Sequence, residues 1–239
     1  MLTILTNGNW IDHLTITAAP NITPSSGIYI SSDQDVHIWS VAISGMRTNI
    51  WIENSSNVFI TGIHLSNNGW PNTPGNSIAD PNIYIANSSN VLIQWGQILG
   101  QNNWPFGDGE IACYFSDNVT ISGTQLFFSG TSAIYFVGCD NSRVENANIQ
   151  FAGGWGLDIV SGSDNFTAIN NSIKYSRLGA SIFQETQQTG GTYKWNIFNY
   201  NNTSGFANCN GLNITGDPLS MSISGNSANP APISCGWNN

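Results

Sequence analysis

Asn57-Val58-Phe59-Ile60, Asn90-Val91-Leu92-Ile93 and Asn118-Val119-Thr120-Ile121 are one motif written three times, and Asp35-Val36-His37-Ile38 is a fourth copy with Asp leading. Weaker copies start at Leu14, Val144, Phe166, Trp195 and Met221. Counted between their apolar anchors, the copies lie 22, 22, 33, 28, 25, 22, 29 and 26 residues apart. A period near 22 with occasional longer intervals is what a solenoid with loops emerging from some turns produces.

Within each repeat the register continues. Seven residues past the anchor stands an apolar residue: Ile43, Leu65, Ile98, Leu126, Phe151, Ile173. A third apolar pair closes each coil: Ile28/Ile30, Ile50/Ile52, Ile83/Ile85, Cys113/Phe115, Ile134/Phe136, Leu157/Ile159. Each short run alternates with period two, so these residues point inward and their neighbours outward. The expectation is an all-β parallel β-helix of about nine coils, three short strands per coil. Helical periodicity is absent, which removes leucine-rich and ankyrin-type repeats. One domain spans 1–239, with regular coils over about 14–225. Residues 226–239, with Pro230, Pro232 and Cys235, form an irregular cap over the last coil.

Asp35, Asn57, Asn90, Asn118 and Asn165 precede their anchors. Asn and Asp tolerate left-handed backbone and hydrogen-bond through their side chains. Stacked at one turn, they predict an amide ladder with a structural role.

Composition excludes several functions. Only 8% of residues are charged, against a norm of about 25%, so Asn, Ser, Thr and Gly must supply the polar surface. Five basic residues against fourteen acidic ones exclude a nucleic-acid partner and binding to anionic membranes. No apolar run is long enough to span a bilayer, and the N-terminus does not read as a secretory signal. Such neutral polar surfaces suit a location outside the cell or on a virion.

The SSNV-x-I and SDNV-x-I coils resemble the pectate-lyase-like superfamily of right-handed β-helices, which includes polysaccharide lyases, polygalacturonases, epimerases and phage tailspikes. The resemblance covers residues 14 to about 225 and implies the fold and its right-handedness, while activity varies across the group. The polygalacturonase set of NTD, DD, HG and RIK motifs is missing. Asp108-Gly109-Glu110-Ile111 echoes only its first element. The calcium carboxylates and basic catalytic residue of pectate lyases have no residue-by-residue match either.

Two outward features are candidates for binding. Tyr29, Trp51, Tyr84, Tyr114 and Tyr135 take the middle of the closing strand in five successive coils, followed by Asp158. At about 4.8 Å per coil they predict an external aromatic stripe of roughly 20 Å. Either a neighbouring subunit covers it or it serves as a sugar platform. Trp70, Trp104 and Trp155 occupy a turn whose equivalent position in flanking coils holds Arg47 and Arg177, which suits carbohydrate or partner recognition, or packing of loop onto barrel.

For catalysis the candidates are Asp108, Glu110, Asp158, Glu185 and Arg177. Glu110 and Asp158 both face outward by parity, but at roughly 15 Å or more they are too distant for a glycosidase pair. Asp108 and Glu110 share a face at about 6–7 Å, which fits a retaining pair, a cation site or two solvated acids. Arg177 or Lys174 near Asp158 is the lyase alternative. His13, His37 and His64 have no aligned carboxylate and read as surface residues. The four cysteines lack metal spacing; they allow one or two disulfides, Cys209–Cys235 first, or buried free thiols. No cofactor or metal site is expected. Nine sequons barely exceed the roughly six that chance supplies.

These readings converge on a virion or cell-surface β-helix that self-associates, a trimer being favoured, and contacts glycans. The alternative is an extracellular polysaccharide hydrolase or lyase.

Overall fold

The motif row Val36, Val58, Val91 and Val119 runs up the interior of the molecule in register, each residue paired to the next across parallel strands. The computed structural model describes residues 2–4, 8–18, 26–66, 81–100, 110–177, 182–184, 189–201, 211–214 and 221–229. Its strands form three parallel sheets of nine strands each. The first sheet begins with Leu2–Ile4, Ser26–Ser31, Thr48–Glu53, Ile83–Ala86, Ile111–Tyr114, Ile134–Val137 and Leu157–Val160; these are the strands that close the coils. The second carries the repeated motif, from Trp10–Asp12 to Ser222–Ser224, and the third runs from Thr15–Thr17 to Ser227–Asn229. Strand pairing therefore extends past 14 and 225. The chain is an all-β, right-handed parallel β-helix.

The core is a set of like-on-like ladders. Ile50, Ile83, Ile111, Ile134 and Leu157 stack in the first sheet, and Ile60, Ile93 and Ile121 in the second. Nearly all are fully buried. Each such side chain contributes about 1.5–3 kcal/mol by leaving water, which is what holds coils so poor in other interactions together.

Left-handed residues make the corners. One row follows the first sheet: Ser32, Asn54, Asn87, Phe115, Gly138, Ser161. A second lies at the start of the second-sheet strands, just before them or one residue inside: Gly8, Asp35, Asn57, Asn90, Asn118, Asn141, Asn165, Gly190. A third separates the second and third sheets, with His13, Ser40, Gly62, Trp95, Gly123, Asn146, Asn170, Trp195 and Gly225. The fourth follows the third sheet and is mostly aromatic: Gly45, Phe128, Phe151, Tyr175, Tyr200. A left-handed residue costs roughly 1–2 kcal/mol when it is not Gly, Asn or Asp, and stacking returns part of that for the aromatics.

The expected amide ladder is the second row. Asn57 Nδ2 donates to Asp35 Oδ1 at 2.9 Å, Asn90 to Asn57 at 3.1 Å, and Asn118 to Asn90 at 2.7 Å. It runs along the outside. A second amide ladder is internal: Asn171, Asn196 and Asn226 each cap a backbone N–H of the preceding coil through Oδ1.

Several anchors shift. Val144 pairs with Ile121 and Ala168, two residues later than expected, because Asn141 takes the left-handed position and the fully buried Ser142 takes the anchor place. The strand beside Gln34–Trp39 is Trp10–Asp12, so Leu14 falls a corner later. Trp195 stands at an exposed corner beyond Thr192–Lys194. Ile149, not Phe151, fills the third-sheet interior row, and Phe151 turns out to solvent. Likewise the interior pair of its coil is Ile111/Cys113, and Phe115 is 66% exposed.

Between disulfides and free thiols, the described cysteines take the first. Cys113 and Cys139, on neighbouring coils, are bonded, with Cα atoms 6.6 Å apart. Cys139 takes a corner position held elsewhere by Asp33 and by serines, and its N–H donates to Ser163 Oγ as Asp33, Ser55 and Ser88 N–H groups do to Ser55, Ser88 and Ser116. Cys209 and Cys235 lie outside the described residues, as do Trp70, Trp104, Asp108, Glu185 and 230–239 of the expected 226–239 cap, whose described part includes the paired strand Ser227–Asn229.

Candidate functional site

The outer row of the first sheet reads Tyr29, Trp51, Tyr84, Ala112, Tyr135, Asp158. Tyr114 was expected here. A two-residue slip keeps a side chain on its face but moves it along the strand by about 6.6 Å, so Tyr114 aligns instead with Glu53 and Ala86. Its ring still spans the gap over the fully buried Ala112, with Tyr84 at 5.4 Å and Tyr135 at 5.9 Å between centroids. Trp51 and Tyr84 meet at 4.2 Å. The result is a continuous ribbon Trp51–Tyr84–Tyr114–Tyr135 across four coils. The rings are half-buried rather than fully exposed, and successive rings are inclined at 33°, 32° and 74°.

Glu53 closes one end. Its Oε1 accepts from Tyr29 O–H and from Ser31 Oγ at 3.2 Å, and its Oε2 accepts from Trp51 Nε1 at 2.9 Å. The Tyr29 hydrogen bond, then that of Trp51, holds the carboxyl below the usual range, against a smaller effect of burial. Glu53 was not singled out from sequence. Its signal was present, since it follows Trp51 by two residues in Ile50-Trp51-Ile52-Glu53 and so shares its face. Asp158 closes the other end, nearly buried, accepting from Ser132 Oγ at 3.2 Å.

Of the candidate acids, only Glu110 and Asp158 fall among the described residues, and they stand two coils apart. Glu110 does not face outward. It lies at the corner leading into its strand, where the side chain runs along the stack and Asn82 Nδ2 donates to its Oε2; Asn49 Nδ2 donates in turn to Asn82. Only 2% of Glu110 is exposed, and desolvation pushes its carboxyl up to about 8. Glu53 and Asp158 are four coils apart, about 19 Å, beyond the separation of a glycosidase pair. Arg177 is exposed and pairs its backbone N–H with Ala152 O, while Trp155 is half-buried two residues past the Arg177-equivalent position. Among the described residues no group of three His, Cys, Asp or Glu could hold a metal ion.

The histidines are less idle than expected. His13 Nδ1 lies 2.5 Å from Asp12 Oδ1, a carboxylate that is its chain neighbour. His37 is stacked between Trp10 and Phe59, at 4.3 and 4.8 Å. A second aromatic column went unnoticed in the sequence. Phe128, Phe151, Tyr175 and Tyr200 stack at 5.1, 5.0 and 5.8 Å with interplanar angles of 8°, 8° and 10°, each 36–52% exposed.

A stacked parallel solenoid with an aromatic ribbon along one lateral face defines the class. Residues 3–189 match the family model of the right-handed beta helix region, and the chain belongs to that family. No curated protein sequence matches it. Among solved structures, the alginate lyase from Paenibacillus sp. str. FPU-7 is similar at 14% identity and a TM-score of 0.59, over 96% of this chain and 88% of that one. The periplasmic alginate epimerase AlgG is similar at 12% identity and a TM-score of 0.61, over 85% of this chain and 47% of that one. ORF18 of Geobacillus virus E2 gives 13%, a TM-score of 0.55, and 92% and 46% coverage. At these identities the likeness is one of fold.

Proposed function

We propose that the chain is a virion or cell-surface β-helix module, of spike, fibre or decoration type, that self-associates and contacts polysaccharide through the aromatic ribbon of its first sheet. The ribbon Trp51–Tyr84–Tyr114–Tyr135 carries the reading. Aromatic rings pack against the C–H faces of pyranoses, and the polar groups beside them, Tyr29 O–H and Glu53, fix orientation. The Cys113–Cys139 disulfide supports a location outside a reducing cytosol. The column Phe128–Phe151–Tyr175–Tyr200 supports self-association, with a trimer favoured. Its rings lie on one another nearly parallel, so their faces are taken up within the column, and such an exposed, largely apolar surface is better covered by protein than by sugar.

One observation favours an extracellular carbohydrate-active enzyme instead: a carboxyl poised near neutrality at Glu110 suits a general acid. Its burial within the Asn49–Asn82 ladder weighs against contact with substrate.

The test is electrophoresis through gels containing polysaccharides, alongside light scattering. Retardation of the wild type that is lost in Trp51→Ala and Tyr84→Ala supports the glycan face. A molar mass above that of the 25.8 kDa chain that falls in Phe151→Ser/Tyr175→Ser supports self-association. A monomer that no polysaccharide retards would sink both.

A further inference from the structure

We propose that the glycan taken by the ribbon is neutral, and that Glu53 is the residue that keeps polyuronates off it; this rests on the glycan-binding reading above. Three donors, Tyr29 O–H, Ser31 Oγ–H and Trp51 Nε1–H, converge on the Glu53 carboxylate. An ionised carboxylate has about four acceptor positions, so one remains, on Oε2, for a hydroxyl of the ligand. A sugar ring stacked on Trp51 would place a hydroxyl there, and a carboxylate there would meet a fixed negative charge. Hydrogen bonding by Tyr29 and then Trp51 lowers the Glu53 carboxyl from its ordinary value and so favours its ionised form.

The surroundings leave that charge uncompensated. No Lys or Arg stands on any first-sheet strand, Asp158 adds a second acid at the far end, and the chain carries a formal net charge of −9. Polyuronate binding needs Lys or Arg opposite its carboxylates, and the ribbon offers Tyr hydroxyls instead. A like charge at that acceptor position is expected to cost on the order of tenfold in affinity per uronate so placed, nearer the limit of bulk water than that of a buried pair.

The experiment uses gel retardation with glucomannan, xylan and dextran as neutral polymers, and alginate and polygalacturonate as polyuronates. It compares the wild type, Glu53→Gln and Trp51→Ala, each checked by thermal melting. Glu53→Gln keeps an acceptor for Tyr29 and Trp51 while removing the charge. The expected result is retardation of the wild type by at least one neutral polymer and by neither polyuronate, with the ratio moving about tenfold towards polyuronate in Glu53→Gln. The wild type alone supplies a second readout: raising salt from about 0.02 to 0.5 M should shrink the discrimination, because the charge is solvent-facing. Equal or stronger retardation by a polyuronate, or an unchanged ratio in Glu53→Gln, overturns the inference while leaving glycan binding standing. Indifference to every polymer, or binding unaffected by Trp51→Ala, overturns the glycan-binding reading and this inference with it.

Discussion

Asn82 Nδ2 donates to Glu110 Oε2 on the next coil, and neither side chain reaches solvent. Burial raises Glu110 from an ordinary 4.5 to about 8, so between those values the folded protein holds a proton that the unfolded chain has released. Stability from this group is therefore full below about pH 4.5 and is lost as pH rises towards 8, by about 1.4 kcal/mol per pH unit. Glu110→Gln preserves the acceptor and cannot ionise. Its melting temperature is expected to exceed that of wild type by the equivalent of a few kcal/mol at pH 8 and to match it at pH 4. A variant equally destabilised at both pH values would contradict the assignment.

Gly100 lies against the same carboxyl. A Cβ there would fall 1.6 Å from Glu110 Oε1 and 2.6 Å from the backbone oxygen of Phe128. The side chain can yield, but the backbone cannot. Gly100→Ala is expected to cost about 1–3 kcal/mol, read from the urea midpoint. A neutral outcome would mean the coil spacing at this corner is looser than the structure places it.

The Cys113–Cys139 bond closes a loop of 26 residues and ties two coils. Dithiothreitol should lower the melting temperature of the wild type by the equivalent of about 2–4 kcal/mol. Cys113→Ala/Cys139→Ser should not respond to the reagent, and should retain the fold, since serine fills the same corner in Ser55, Ser88, Ser116 and Ser163. A wild type insensitive to the reductant would show that the bond does not form in solution.

The two amide ladders should differ in worth. Asn196 accepts from the Asn171 N–H and side chain and donates to Ala168 O and Asn226, all at 2.9–3.0 Å, within a buried row. Asn196→Ala strands several of those groups away from water and is expected to cost about 3 kcal/mol or more. Asn118, in the exposed ladder, can be replaced by water, so Asn118→Gly should cost under about 1 kcal/mol, glycine tolerating its φ of 54°. Denaturant melts of the two variants compare them directly, and equal losses would refute the distinction between inner and outer ladders.

Legibility followed locality. Val36, Val58, Val91 and Val119 were readable because period-two alternation and a left-handed Asn are properties of four or five adjacent residues. The faces of Trp51, Tyr84 and Tyr135 were readable for the same reason. Glu53 was equally accessible and was passed over. Phe115, Phe151 and Trp195 were not readable, because nothing local says that a large aromatic will stand at a left-handed corner, where these residues have positive φ. For Phe151, stacking on Phe128 and Tyr175 in the coils either side offsets that strain.

The sequence by itself determined the solenoid, its three strands per coil and the outer amide ladder, since those depend on alternation and on the backbone tolerance of Asn. Only the tertiary structure decided the registry between coils of unequal length. It set Tyr114 in line with Ala86 rather than with Tyr84, turned Glu110 inward onto Asn82, and brought Cys113 to Cys139. The reason is physical: corners of variable length settle where buried rows and left-handed positions stack best, and that optimum depends on neighbouring coils more than twenty residues away.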